Sequence, residues 1–175
     1  MKLEGSCHCQ AVKFECESEH YYPYQICYCS ICRKTMGGGG STINISADHR
    51  TLKIRKGKAQ IALYHARIVD DKTGKITRSG GQRRFRKKCG SGLWIYDPDY
   101  PDLMHPFASA IDTDLPPAPE HTHLMLGSKA SWVEPHITGK DKSFKKYPKE
   151  SIANWHKRVI GTQKTKKARL NEEPG

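Results

Sequence analysis

The chain has 175 residues, a formal net charge of +12 and a hydrophobic fraction of 36%, which suits one buried core and one globular domain. No run approaches the roughly 20 apolar residues of a membrane-spanning helix, and Met1–Cys7 holds no apolar segment of the kind a secretory signal carries, so a cytoplasmic, reducing location is expected. There the seven cysteines, an odd number, point to metal binding rather than a disulfide framework.

Val12, Phe14 and Cys16 alternate with Lys13 and Glu15, the period-two pattern of a half-buried strand. Two tight cysteine groups surround it, Cys7-His8-Cys9 before and Cys27-Tyr28-Cys29-Ser30-Ile31-Cys32 after. Gly37–Gly40 reads as a flexible connector, and no Gly-Lys-Ser/Thr follows to make it a phosphate loop. Thr42–Ile45, Leu52–Ile54 and Ile61–Tyr64 predict further strands, with Asp70–Lys75 a turn and Asp114–Pro119 a proline-stiffened loop. Strands are expected to dominate to about residue 135.

One helix is expected, late in the chain, with Pro148 in its first turn and Ile152, Trp155 and Val159 on its packing face. Residues 140–169 carry eleven Lys/Arg against Asp141 and Glu150, and beyond Gly161 the apolar periodicity stops. The expected organisation is a zinc domain over 1–140, a basic segment with a packing helix over 141–161, and a disordered tail over 162–175. The basic tail reads first as a solvated segment, with nucleic acid or an acidic surface as the alternative partner.

Three thiolates within the six residues from Cys27 to Cys32 can share one zinc without any long-range contact. Four protein ligands on that ion would make it structural, whereas three would leave a position for water or substrate. Cys7 and Cys9 need completion from elsewhere, and Cys89 is the distant candidate. Cys16 is either a further ligand or a small core residue. His8 reads as an exposed ring, and His121-Thr122-His123 has a spacing that metals occasionally use. Trp94, Tyr96 and Trp132 read as core or pocket wall.

Taken together, Gly5-Ser6-Cys7-His8-Cys9, Cys27-Tyr28-Cys29-Ser30-Ile31-Cys32-Arg33-Lys34, Phe85 with Cys89-Gly90-Ser91, and Ser128–Trp132 resemble the glutathione-dependent formaldehyde-activating enzymes, whose domain is shared with centromere protein V. That resemblance implies a mainly β fold, a small zinc-stapled β-tent of packed antiparallel sheets, here with a short C-terminal helix and a basic tail. It also implies two zinc sites. Cys7, Cys9 and Cys89 correspond to the structural ligands, and Cys27, Cys29 and Cys32 to the reactive site. The family's Phe-Cys-x-x-Cys is Phe85-Arg86-Lys87-Lys88-Cys89 in this chain. Arg86 thus stands where a ligand is expected, and a guanidinium that stays protonated cannot bind zinc. Cys16, His8, another histidine or water would have to complete that site.

The implied activity is that of a carbon–sulfur lyase or thiol-adduct synthase. Glutathione or another thiol would be co-substrate at an open three-cysteine zinc, with Arg33 and Lys34 offsetting its charge or gripping substrate carboxylates. A zinc-stapled binding module, docking its basic tail on nucleic acid or an acidic partner, is the competing reading.

Overall fold

The computed structural model describes residues 1–70 and 72–172, with side-chain surroundings to residue 162. Seven strands form one antiparallel sheet. In spatial order they are β1 (Lys2–Ser6), β2 (Lys13–His20), β5 (Ser46–Lys56), β9 (Leu103–Pro106), β8 (Gly92–Tyr96), β7 (Ile76–Arg86) and β6 (Ile61–Val69). The alternation read at Val12–Cys16 is realised in β2, where Phe14, Cys16 and Ser18 point inward. They join Leu3, Ile45, Leu93, Trp94, Met104 and Phe107 around a core in which the Phe14 and Trp94 rings lie 5.0 Å apart.

Gly5 fits this crowding because a Cβ there would sit 2.5 Å from the Ala110 carbonyl oxygen and the Phe14 ring. Cys16 is 1% exposed and packed in the same core. Burial pushes its thiol up to about 12, the behaviour of a small apolar residue rather than a ligand.

The second sheet contains β11 (Lys142–Ser143), β10 (Thr122–Leu124), β3 (Gln25–Cys27) and β4 (Thr42–Ile43). It departs from a purely antiparallel expectation, since β10 runs parallel to both β3 and β11. The strand read over Thr42–Ile45 is cut short. After Ile43 the chain crosses over, and the Ile45 N–H bonds Pro106 O instead. From residue 125 to 141 there are a 3-10 turn and loops with no strand.

Among the described residues there are two α-helices where one was expected. α1 (Ser30–Met36) begins within the second cysteine group, after Cys29, and ends at the glycine connector. It lies against the start of β8, where a Cβ on Gly92 would fall 1.6 Å from Met36 Sδ. α2 spans Ile152–Glu172, so Pro148 precedes it rather than entering its first turn. Ser151 supplies the N-terminal cap, its Oγ accepting the Asn154 N–H.

Trp155 and Val159 of α2 are buried against Tyr22 and Tyr24, with the Tyr24 and Trp155 rings stacked at 3.7 Å. Arg158 ties the same helix to Glu120 and Glu150. The helix backbone continues past Gly161. The expectation of a disordered tail over 162–175 concerns a segment that, beyond residue 162, lies outside the described side chains. No helix among the described residues is long and apolar enough to cross a membrane.

Candidate metal centres

Cys27 closes β3, Cys29 caps α1 and Cys32 sits in that helix's first turn. The strand-to-helix corner gathers all three sulfurs within 4.8 Å of one another. Several contacts fix it. Cys29 Sγ accepts the Cys32 N–H at 3.3 Å, Thr42 Oγ1 donates to Cys32 O, and the Tyr28 N–H donates to Leu124 O. The Tyr28 side chain turns away from the sulfurs, stacks on His123 and hydrogen-bonds its Nδ1 at 3.0 Å. His123 Nε2 in turn lies 3.7 Å from Asp141 Oδ2.

Three thiols this close cannot all ionise without a cation. Hydrogen bonds from Cys27 and Cys32, then the backbone N–H groups of Cys32 and Ile31, hold Cys29 far below the usual thiol range. The same hydrogen bonding, followed by desolvation and the charge on its neighbours, drives Cys27 upward. The cluster favours ionisation at Cys29 and resists it at Cys27, and binding all three as thiolates calls for a metal ion.

Two further groups couple electrostatically to these sulfurs without any signal in the sequence. Arg83, 7% exposed, has a buried Nε with no hydrogen-bond partner among the described residues, and its charge opposes the upward shift of Cys32. Tyr147 is exposed as a side chain. Even so, partial desolvation and then the charge of Cys27, Cys29 and Cys32 raise its phenol.

Cys7, Cys9 and Cys89 form the second group, their sulfurs also within 4.8 Å of one another. Here the turn between β1 and β2 meets the turn between β7 and β8. The Cys7 and Cys9 sulfurs are 3.6 Å apart, and the His8 N–H donates to Ser91 Oγ. The Cys89 thiol, exposed, is lowered to about 6, first by its hydrogen bonds with the Ser91 hydroxyl and backbone. A tetrahedral zinc with bonds near 2.3 Å places its thiolates roughly 3.8 Å apart, so both donor sets fit zinc in chemistry and spacing.

The six clustered cysteines are therefore brought together as two triads, and no further Cys, His, Asp or Glu among the described residues joins either. Cys16 stays in the core and His8 is exposed. His121 and His123 pair with Asp141 rather than converging with a cysteine triad. Trp94 is core and Tyr96 stacks on His49, but Trp132 is 62% exposed, contrary to its reading as core or pocket wall. Arg33 and Lys34 line a cleft of about 630 Å³ that runs along Cys7 and Cys89.

The family model for the glutathione-dependent formaldehyde-activating enzyme matches residues 2–127. A relative from Halomonas elongata, described as "Putative glutathione-dependent formaldehyde-activating enzyme", is 53% identical over 159 residues, covering 91% of this chain and 97% of its own. A crystal structure of a Rhodobacter sphaeroides protein aligns with 24% identity and a TM-score of 0.48, covering 66% of this chain and 92% of that one.

Proposed function

The chain belongs to the glutathione-dependent formaldehyde-activating enzyme family, and from that premise we propose a zinc-dependent carbon–sulfur lyase or thiol-adduct synthase centred on Cys27, Cys29 and Cys32. The substrate class is a glutathione–formaldehyde adduct or the adduct of a related small electrophile. The observation that carries the proposal is a preformed triad of thiols to which no fourth protein donor is added among the described residues. Zinc held there would supply a soft Lewis acid that favours an incoming thiol as thiolate.

The chain's own residues do the rest. The Tyr28–His123 and Tyr28–Leu124 bonds keep the donor corner rigid. Arg83 adds positive charge beside the sulfurs. Tyr147 lies within the electrostatic reach of the three sulfurs and can answer their charge. In the synthetic direction the thiol sulfur bonds to the carbonyl carbon and the thiol proton ends on the adduct oxygen. Cleavage reverses both transfers.

The test is a glutathione titration of cobalt-substituted protein alongside a rate measurement of adduct formation by carbon-13 NMR of labelled formaldehyde. Wild type should show a thiol-dependent change in the cobalt spectrum and accelerate the adduct equilibrium, and Cys29→Ser should lose the acceleration. Four protein ligands on the metal at this triad, or no acceleration over the uncatalysed reaction, would overturn the proposal.

A further inference from the structure

The triad of Cys7, Cys9 and Cys89 differs from a closed structural site in three ways. Its fourth position in the motif is Arg86, whose carbonyl accepts the Gly90 N–H and whose own N–H donates to Ser91 O, closing the turn that presents Cys89. The Arg86 side chain is buried, with Nε and Nη1 lacking hydrogen-bond partners among the described residues. Cys9 and Cys89 are exposed and only Cys7 is buried.

A three-thiolate zinc here would be left with one coordination position for something other than the protein. Cys7 and Cys89 of this triad, with the C-terminal half of α1, wall a cleft of about 630 Å³, a size typical of small-molecule sites. Its lining includes Arg33 and Lys34, and the Arg33 Nε is buried with no hydrogen-bond partner among the described residues. Cys29 and Cys32 lie at the start of α1 and Arg33–Met36 on its later turn, so one short helix serves one triad with its first turn and walls the cleft of the other with its second.

We propose that Cys7, Cys9 and Cys89 form a second, coordinatively open metal site whose fourth ligand is the thiol of a small anionic molecule in this cleft, its carboxylates met by Arg33 and Lys34. The inference goes beyond the reaction assigned to Cys27, Cys29 and Cys32 and does not need that site to be catalytic. The ligand is defined by its chemistry: a sulfur donor for a soft ion, carried on a chain with at least one carboxylate. The thiol loses its proton to solvent on binding, and no electron is transferred.

Sulfur coordination of the zinc-loaded full chain, measured by X-ray absorption, tests this without any substitution. With no added thiol each zinc should show about three sulfurs, and excess glutathione should raise the average to about four when both triads are open. An average of about three and a half means that only one triad accepts thiol. Cobalt-loaded Cys29→Ser then says which one, since a surviving response to glutathione belongs to Cys7, Cys9 and Cys89.

In that variant the thiolate-to-cobalt absorption should grow by about a third on adding glutathione. Mercaptoethanol, which lacks carboxylates, should need a concentration at least tenfold higher. Arg33→Gln should narrow that tenfold gap, and Arg86→Cys, which supplies a fourth thiolate, should remove the response. No metal at the second triad, or a cobalt spectrum there unmoved by glutathione, would overturn the inference while leaving the proposed reaction at the other triad standing.

Discussion

Cys89→Ser offers the most direct measure of what the long-range metal tie contributes. Cys89 is exposed, and its sulfur meets its cluster and the Ser91 hydroxyl and backbone. In metal-free protein the substitution should therefore cost no more than an ordinary surface change, about 0.5 kcal/mol. With zinc bound, Cys7 and Cys9 are joined to Cys89 across a ring of about 80 residues, and the chain-entropy model for cross-links assigns such a ring about 4.5 kcal/mol. The rings that Cys29 closes to Cys27 and Cys32 are only about three or four residues, worth about 2 kcal/mol on the same model.

For a chain of this length a loss of 4.5 kcal/mol lowers the melting temperature by about 9–18 °C. The assay is thermal unfolding by circular dichroism, on reduced wild type, Cys89→Ser and Cys29→Ser, each with zinc and after chelation. Cys89→Ser should lose roughly twice as much as Cys29→Ser with zinc, and the two should nearly coincide with wild type without it. Equal losses in the zinc-loaded proteins, or a loss in Cys89→Ser that survives chelation, would refute the reasoning.

Other outcomes follow from the same geometry. His156 donates from Nδ1 to Ile152 O and accepts the Tyr22 N–H at Nε2, and desolvation by burial lowers its pKa to about 4. Between about pH 6.5 and 4 the unfolded chain binds a proton that the folded chain refuses, so stability should fall as pH drops through that window. His156→Gln should flatten that slope in urea unfolding curves measured across it. Trp155→Ala removes the ring stacked on Tyr24, and denaturant titration should show a loss of about 3–5 kcal/mol. Gly92→Ala forces its Cβ into Met36 Sδ; unfolding should show a cost of about 1–3 kcal/mol, and competition with a chromophoric chelator should show weaker zinc binding at Cys27, Cys29 and Cys32, because α1 carries Cys32.

The parts of this protein that could be read from its sequence are those whose physics is local. Three cysteines in six residues announce a shared ion whatever the fold, and Phe14 and Cys16 announce a strand by alternation alone. α1 could not be read this way. Seven residues ending in a run of glycines show no apolar repeat, and the helix depends on the Cys29 cap and on packing against Gly92. The parallel pairing of β10 with β3 unites residues about a hundred positions apart, through two short strands with little pattern of their own. Cys16 was ambiguous because a thiol serves equally as ligand and as small hydrophobe, and only its place between Leu3 and the core decided it. Arg83 and Tyr147 left no trace because one lies in a basic block and the other in a basic tail, where charge and exposure hide a specific position.

The two triads are built for different degrees of permanence. Cys27, Cys29 and Cys32 share one rigid corner held by the Tyr28, His123, Leu124 and Thr42 bonds, so their donor geometry does not depend on what occupies a fourth position. A ligand can then come and go with little reorganisation, which is what turnover of a thiol adduct demands. Cys9 and Cys89 sit on separate exposed turns joined by the His8–Ser91 hydrogen bond, and an ion bound there would tie those turns further. Each triad that binds thiol should stabilise the zinc-loaded fold according to its own affinity, so the two contributions can be read apart. Glutathione should raise the melting temperature of zinc-loaded Cys29→Ser through Cys7, Cys9 and Cys89, that of Cys89→Ser through the preformed corner, and that of wild type by more than either. A variant whose melting temperature glutathione leaves unmoved in a thermal-shift titration would mean that its remaining triad does not accept thiol.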